Sequence, residues 1–233
     1  QQVRAEAAAA EAALEVLKKW KRKHDYNIDL KWRKKKTAKE ALRFAEISQG
    51  DIDAAHAAAK KFKKTTKAKK LKLTTDQLLS LYAYTTNIYS ELNSALRNRD
   101  DPAKINQYKP LGWHIVDALK KLPDYKGKVY RGDRGTHLDA SQYTEGTEIH
   151  YQAFTSTSKD KSVAKGFAGA GGYLFIIDVQ NAKDIKAYSA FPWEEECLLA
   201  ANTRFRVAQE LKVTNGVNVI KLQQITPNST VWS

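Results

Sequence analysis

The period of the hydrophobic pattern changes once along the chain, near Pro123, and this change limits the folds that the sequence allows. Before Pro123, apolar residues recur every three or four positions, most clearly in LTTDQLLSLYAYTTNIYSELNSALR, where Thr74 and Gln77 have capping-box spacing. After it, short apolar runs predict strands, and Asn215-Gly216 is typical of a tight hairpin. Helices followed by mostly antiparallel strands indicate an α+β fold rather than a doubly wound one.

The same pattern predicts the individual elements. In residues 1–72 we expect a helix over QQVRAEAAAAEAALEVLKKW, a second over TAKEALRFAEISQG that begins with a Thr37 and Glu40 capping box and ends at Gly50, and a third after Asp51. A further helix, LGWHIVDALKKL, ends before Pro123. The predicted strands are GKVYRGDRG, YQAFTSTS, GGYLFIIDV, DIKAYSA, CLLAA, RFRVAQELKV and NVIKLQQI.

Positive charge is concentrated at the front of the chain. Residues 1–72 hold 21 Lys and Arg against 9 Asp and Glu, a net charge of +12 out of +14 for the whole chain. This asymmetry predicts two units, a lysine-rich helical arm over 1–72 and a nearly neutral body over 73–233. The arm could bind nucleic acid, an acidic partner or anionic lipid. The other interpretation is a solvated linker, which the scarcity of aromatic residues between the lysines favours.

Several classes of site are excluded or unsupported. The single cysteine, Cys197, excludes an internal disulfide, and no histidines pair with cysteines at metal-ligand spacing, so we expect no metal. No apolar run is long enough to cross a membrane, and no Gly-rich phosphate loop is present. The chain begins with Gln1 and contains no Met, so we expect it to be part of a longer product.

Three polar clusters interrupt the predicted strands. Singly, each is common on protein surfaces; their order is what carries information. Glycine after the arginine would let the backbone turn close to a ligand, and the two outer glutamates, two apart on an extended segment, would point the same way. The clusters are Arg131 and Gly132 in VYRGDRG, Ser156, Thr157 and Ser158 in FTSTSKD, and Glu194 and Glu196 in FPWEEECLLA.

In this order the clusters resemble the arginine, Ser-Thr-Ser and Glu-x-Glu signature of mono-ADP-ribosyltransferases found among bacterial toxins and effectors. YTTNIYSELNSALR also resembles the family's first helix, and FPWEEECLLAANTRFRV its toxin loop and catalytic strand. The resemblance covers about residues 73–228 and leaves the arm outside. It implies an ADP-ribosyltransferase-like core of two packed, mostly antiparallel sheets with flanking helices, preceded by the basic helical arm.

The resemblance also implies the chemistry. NAD is the substrate, without a metal, and the bond between nicotinamide and ribose breaks through an oxocarbenium-like cation, as in glycoside hydrolysis. Glu196 would stabilise that cation and accept a hydrogen bond from the ribose 2′-hydroxyl. Arg131 would hold the phosphates, and Ser156 would orient Glu196. Thr157 and Ser158 would tie the strands behind it.

Further residues receive expectations from the same resemblance. Glu194 would bind an acceptor arginine and accept its proton, whereas Glu195 would face solvent. The loop aromatics Phe191 and Trp193 would meet the target protein, with packing under the loop as the alternative. For Phe167, contact with nicotinamide and core packing are open alternatives. The same holds for Tyr84, Tyr89 and Asn93, which would line the NAD cleft or fill the core, while Cys197 should face inward as a small apolar residue.

Three functions remain open. The first is an NAD:protein-arginine ADP-ribosyltransferase, the toxic end of a larger secreted or injected protein that acts in the target-cell cytoplasm. The second transfers ADP-ribose to RNA or DNA, and the third is a non-catalytic binding module. A toxin of the first kind would have a target protein with an accessible arginine as partner, and a cognate immunity or inhibitor protein in the producing cell.

Overall fold

The computed structural model describes residue 12 and residues 28–31, 36–136, 138–214 and 216–225. Within these residues, seven α-helices and seven strands form the fold. The helices are α1 Ala38–Phe44, α2 Gln49–Lys63, α3 Thr66–Lys70, α4 Thr75–Ala83, α5 Tyr89–Arg97, α6 Pro102–Lys120 and α7 Lys161–Ala168. The strands are β1 Asp124–Asp133, β2 Glu148–Tyr151, β3 Thr155–Ser158, β4 Tyr173–Asp184, β5 Glu196–Leu199, β6 Thr203–Thr214 and β7 Val217–Gln224.

Both predicted capping boxes are present. The hydroxyl of Thr37 accepts a hydrogen bond from the amide of Glu40 at the start of α1, and Thr74 and Gln77 repeat the arrangement at α4. The predicted end of the first of these helices at Gly50 is wrong. Helix α1 ends at Phe44, and Gly50 lies in α2, because Ser48 caps a new helix just before it. The helix predicted over residues 1–20 lies, except for Ala12, outside the described residues.

All the described strands belong to one hydrogen-bonded network. Strands β1, β3, β5 and β4 form a closed ring, since β1 and β5 each pair with both β3 and β4. From β4 the network continues through β7 and β6 to β2. Among the described strands, only β4 and β7 run parallel to each other. The α+β prediction is confirmed, and the expected sheets are joined because β4 is long enough to pair with neighbours on both sides.

Two details of the strand predictions have different outcomes. The register places Thr214 opposite Val217, so a two-residue turn joins β6 and β7 as the Asn215-Gly216 pair predicts. The strand predicted at DIKAYSA is wrong. There β4 ends at Asp184, and residues Lys186–Tyr188 form a short 3-10 turn.

The described helices of the basic segment before residue 72 pack against the body. Ala41, Ile52 and Ala68 are fully buried in the same apolar cluster as Leu78 of α4. A second apolar cluster fills the space enclosed by the strands. Alanine at the contact positions lets helices whose outer faces carry lysine approach the core closely. The packing therefore continues across residue 72, while the prediction of a separate functional arm over 1–72 stays a prediction.

Residues 28–31 are also fixed to the body. The amide of Ile28 donates to Asn202 Oδ1 at 2.7 Å, and Asn202 Nδ2 donates to the Ile28 carbonyl oxygen at 2.8 Å. Asn202 is in the turn between β5 and β6 and has a left-handed backbone, which Asn tolerates better than most residues. Two reciprocal hydrogen bonds thus join the front of the chain to the strand region.

A π-helical turn, Tyr84–Ile88, joins α4 and α5 and interrupts the predicted apolar stripe. Thr86 leaves helical geometry, with φ −88° and ψ −169°. Leu81 before the turn and Leu92 after it are fully buried, but Tyr89 is 45% exposed. Insertions of this kind often mark functional sites, because they redirect the side chains that follow them.

Gly132 is required for packing, while the expectation that it lets the backbone approach a ligand stays a prediction. Its φ is not positive, and a Cβ at this position would lie 1.9 Å from the carbonyl oxygen of Ala164 in α7. Strand β1 and helix α7 are therefore in backbone contact here. Gly132 still borders the cleft described below.

We predict that Gly132→Ala lowers the free energy of unfolding by about 1–3 kcal/mol or more, because the methyl group forces α7 away from β1. The matched control is Gly166→Ala, since a Cβ at Gly166 in α7 meets no atom within 4 Å. That control should raise stability by about 0.5–1 kcal/mol through helix propensity. Urea unfolding of both variants measures the difference; equal stabilities would contradict the packing role of Gly132.

Candidate active site

A cleft of about 740 Å³ lies between the π-helical turn and α5 on one side and β1, β3 and the start of β5 on the other. Trp193, alone of the residues predicted for the site, is absent from its lining. The roles of the predicted residues stay predictions, but the fold brings most of them to one place. Those that line the cleft are Tyr84, Tyr89, Asn93, Arg131, Gly132, Ser156, Thr157, Ser158, Phe167, Phe191, Glu194 and Glu196.

Glu196 is the buried acid of the cleft. It is the first residue of β5, lies opposite Ser158 of the neighbouring strand β3, and is 6% exposed. The pKa of its carboxyl group is raised to about 7, mainly by burial; a hydrogen bond from Ser156 lowers it, and the nearby charge of Glu194 raises it. An acid held near neutrality can lose or accept a proton under ordinary conditions.

Ser156 connects Glu196 to the helical side of the cleft. Its hydroxyl lies 3.1 Å from the hydroxyl of Tyr84, which accepts a hydrogen bond from Asn93 Nδ2 at 3.1 Å. Tyr84 is fully buried, and desolvation together with the charge of Glu196 raises its pKa. The Oδ1 atom of Asn93 is buried and has no hydrogen-bond partner within the described part of the chain. This leaves an acceptor available at the cleft.

The other two residues of the Ser-Thr-Ser run hold neighbouring segments. Thr157 points to the opposite face of β3 and donates to the carbonyl oxygen of Cys197 at 2.6 Å. The Ser158 hydroxyl donates to the carbonyl oxygen of Glu194 at 2.6 Å. Alternation along the strand therefore separates their tasks: Thr157 fixes β5, whereas Ser158 fixes the loop before it.

Three arginines, Arg97, Arg131 and Arg134, line the cleft. Arg131 Nη1 donates to the carbonyl oxygen of Ser156 at 3.1 Å, which attaches it to β3. Arg97, at the end of α5, has a pKa lowered by desolvation and by the charge of Arg131. Sequence reasoning assigned no role to Arg97. The available signal was its place at the end of YTTNIYSELNSALR, one helical turn after Asn93.

The backbone around the two outer glutamates differs from the expected extended segment. Glu194 closes a 3-10 turn, Pro192–Glu194, and Glu195 is left-handed with φ 51° and ψ 41°, so only Glu196 begins a strand. Glu194 and Glu196 nevertheless both line the cleft, and burial raises the pKa of Glu194. The expectation that they share one face of an extended strand is therefore wrong, although they face the same cleft.

Glu195 is more than a solvated side chain. It forms ion pairs with Lys186 and, at 3.4 Å, with Lys159. The hydrogen bond from Lys186 is the main cause of its lowered pKa. The left-handed residue therefore directs its carboxylate away from the cleft and toward the lysines that flank the loop.

Aromatic residues border the cleft and its loop. Phe167 is 51% exposed and lines the cleft, which argues against the alternative of core packing. Phe191 and Trp193 lie with ring centroids 5.5 Å apart and are 38% and 68% exposed. Packing under the loop does not account for Trp193 at this exposure.

A hydrogen bond ties the loop to the π-helical turn. The amide of Ala190 donates to Thr85 Oγ1 at 2.9 Å, and the Thr85 hydroxyl itself donates to the carbonyl oxygen of Tyr82. The amide of Phe191 donates to Ser189 Oγ at 2.9 Å. The segment before Glu194 is therefore held by the same helical connection that supplies Tyr84 to the cleft.

Other kinds of site have little support in the described residues. Cys197 is buried, as predicted, and burial raises the pKa of its thiol to about 12, which leaves it protonated. Among the residues described, no group of three or more His, Cys, Asp and Glu side chains could hold a metal ion. None of the described helices has the length and hydropathy needed to cross a membrane.

Comparison with known proteins identifies relatives. Mav of Mycobacterium avium (strain 104) is 38% identical over 141 residues, 59% of this chain and 16% of Mav. Tre1 of Serratia proteamaculans (strain 568), an NAD(+)–protein-arginine ADP-ribosyltransferase, is 31% identical over 154 residues, 66% of this chain and 33% of Tre1. The chain thus spans a third or less of the length of these two relatives.

The fold is shared with solved structures as well. The type III effector XopAI of Xanthomonas axonopodis pv. citri superposes with a TM-score of 0.67 at 21% identity, covering 89% of each chain. A family model described as NAD:arginine ADP-ribosyltransferase matches residues 5–230, which include the basic segment as well as the cleft. The chain therefore belongs to the NAD:arginine ADP-ribosyltransferase family.

Proposed function

We propose that this protein transfers ADP-ribose from NAD to an arginine of a target protein and releases nicotinamide. The observation that carries the proposal is the presence of Glu196 and Glu194 in one cleft, the first buried and the second at its edge on the loop. In this reaction the bond between ribose C1′ and the nicotinamide nitrogen breaks. A bond from C1′ to a guanidinium nitrogen forms, and one proton leaves that nitrogen.

The donor end of the cleft suits a dinucleotide. Arg131 and Arg97 supply fixed positive charge for its phosphates, and guanidinium groups can bind phosphate oxygens through two parallel hydrogen bonds. The exposed rings of Phe167 and Tyr89 offer surfaces for a planar nicotinamide. Asn93, with its unsatisfied Oδ1, is placed to accept a hydrogen bond from the bound nucleotide. NAD acts here as substrate.

Glu196 has the chemistry needed at the reacting sugar. As C1′ separates from nicotinamide, positive charge develops on the ribose, and a carboxylate in a desolvated site stabilises such charge more strongly than one in water. The hydrogen bond from Ser156 favours the ionised form and orients the carboxylate. Tyr84 and Asn93 in turn hold Ser156 in place.

Glu194 provides for the acceptor. A guanidinium remains protonated at neutral pH, so it needs a carboxylate both to bind it and to take the proton lost when the new bond forms. The raised pKa of Glu194 makes it a better base than an exposed glutamate. Phe191 and Trp193 flank this position and would contact the target protein. Transfer to nucleic acid and non-catalytic binding are less well supported, since the family is defined by arginine as acceptor.

The setting of the activity is proposed from the sequence. A chain of this family that is the toxic part of a secreted or injected protein would act in the target-cell cytoplasm. A producing cell would then need a cognate immunity or inhibitor protein, because its own cytoplasm also contains NAD and proteins with accessible arginines.

We predict that Glu196→Gln lowers the rate of both NAD hydrolysis and transfer by about a hundredfold or more, because the charge opposite the developing cation is lost. Release of nicotinamide and transfer of labelled ADP-ribose measure the two rates. Glu195→Gln is the matched control, with the same change one residue away on a side chain directed out of the cleft. Retained activity in the Glu196 variant would exclude the proposed mechanism.

Glu194→Gln should separate the two reactions. Water can take the place of the acceptor and does not need Glu194 to bind it. NAD hydrolysis should therefore persist within about threefold, while transfer to agmatine falls about a hundredfold. Nicotinamide release and ADP-ribosyl-agmatine formation are followed in the same sample. An equal loss of both rates would assign Glu194 to the donor reaction instead.

The pH dependence of kcat/KM for NAD hydrolysis tests the state of Glu196. Its raised pKa means that the carboxyl is protonated below about 7, so kcat/KM should rise as pH increases through about 7. Ser156→Ala removes the hydrogen bond that lowers this pKa, and the midpoint should move to higher pH. In Ser158→Ala, whose hydroxyl bonds Glu194 rather than Glu196, the midpoint should stay in place. Unchanged midpoints in both variants would contradict the role of Ser156.

A further inference from the structure

Eight exposed lysines cover one surface of the helical region. They lie within residues 60–72, a stretch without Asp or Glu, and we call this surface the basic helical patch. It spans the end of α2, all of α3 and the turn that follows. The patch consists of Lys60, Lys61, Lys63, Lys64, Lys67, Lys69, Lys70 and Lys72.

The basic helical patch adjoins the loop that carries Glu194. Phe62, on the inner side of α2, packs edge to face against Tyr188 with ring centroids 6.0 Å apart. Lys67 Nζ lies 5.9 Å from the centre of the same Tyr188 ring. Tyr188 is three residues before Phe191, at the end of the 3-10 turn that leads into the loop. Lys67 therefore lies beside the turn from which the chain continues to the loop aromatics.

Two acidic groups of this loop region, other than Glu194 at the cleft, already have partners. Glu195 is paired with Lys159 and Lys186, and Asp184 is paired with Lys159 at 2.9 Å. The first turn of α2 carries Asp51, at the opposite end of that helix from Lys60. Within the described residues no ion pair involves a lysine of the basic helical patch, so its positive charge can act on whatever approaches the loop.

We propose that the basic helical patch is a docking surface for an acidic face of the acceptor protein, next to the arginine that Glu194 receives. The proposal rests on the proposed function and specifies its substrate class. It commits to a protein because the lysines lie beside the transfer loop and are not interleaved with exposed aromatic rings that could stack on bases.

Charge explains why such a surface would matter for this reaction. The acceptor side chain is a cation, and an acceptor with further positive charge around it would be repelled by the patch. Acidic residues beside the target arginine reverse that repulsion and steer the encounter, an effect that raises association rates by about 10–1,000-fold and weakens with salt. The patch thereby selects among arginines that Glu194 alone could not distinguish.

The test uses the full chain, NAD and three acceptors. Agmatine is the small acceptor. The other two acceptors are synthetic peptides that each contain one arginine. In the first, a run of glutamates lies on one side of the arginine, and a series of such peptides places the run 4–12 residues from it. In the second, glutamines replace the glutamates. At low salt we expect kcat/KM for the best acidic peptide to exceed that for its glutamine counterpart by about tenfold, and this advantage to shrink as salt screens the charges.

Matched variants locate the effect. The triple variant Lys60→Gln, Lys64→Gln and Lys67→Gln should abolish the acidic-peptide advantage while leaving agmatine transfer unchanged. The control triple variant Lys126→Gln, Lys212→Gln and Lys221→Gln removes the same charge from exposed lysines elsewhere and should keep the advantage. Equal losses in the two triple variants would show a general charge effect and overturn the docking surface.

Other outcomes distinguish the two proposals. Agmatine transfer without any acidic-peptide advantage overturns the docking surface and leaves the proposed function intact. Failure of agmatine transfer overturns the proposed function and this inference with it. A single-stranded RNA 20-mer that binds the wild type but not the patch variant, in the absence of a peptide advantage, would assign the surface to nucleic acid instead of protein.

Discussion

The desolvated carboxyl group of Glu196 is the constraint around which the cleft is arranged. A buried acid is costly to ionise, and the hydrogen bond from Ser156 offsets only part of that cost. Ser156 is in turn held by Tyr84 and, through its carbonyl oxygen, by Arg131. The same few contacts therefore fix the acid, the helix above it and the arginine beside it. In the proposed reaction, the positively charged nicotinamide ring of NAD would offset part of the remaining cost.

Much of the fold and part of the site could be predicted from the sequence, for local reasons. The capping boxes at Thr37 and Thr74 depend on residues three apart in the sequence. The order of the polar clusters along the chain likewise does not depend on how the chain packs. The features that were missed depend on distant contacts. Gly132 is needed because α7 touches β1, and Glu195 adopts a left-handed backbone where its carboxylate meets Lys159 and Lys186. Neither of these contacts can be predicted from the residues next to Gly132 or Glu195 in the sequence.

The basic front of the chain illustrates a limit of charge patterns. A net charge of +12 in residues 1–72 suggested an appendage, yet the alanines on the inner faces of α1 to α3 pack into the main core. Lysine-rich helices of this kind carry few large apolar side chains. Their composition alone therefore does not reveal that small residues such as alanine can pack them against a core. The family match also begins within this segment, at residue 5.

The hydrogen bond between Ala190 and Thr85 has a consequence for how such a protein can diversify. It fixes the loop at its beginning, and the bond from Ser158 to the Glu194 carbonyl oxygen fixes it at its end. Between these two anchors lie only residues 191–193, the exposed Phe-Pro-Trp segment. Because hydrogen bonds hold the backbone at both ends of this tripeptide, its side chains can be exchanged without moving the flanking segments. Under the proposed function, substitutions confined to this segment would change the choice of acceptor while the NAD-binding part of the cleft stays as it is.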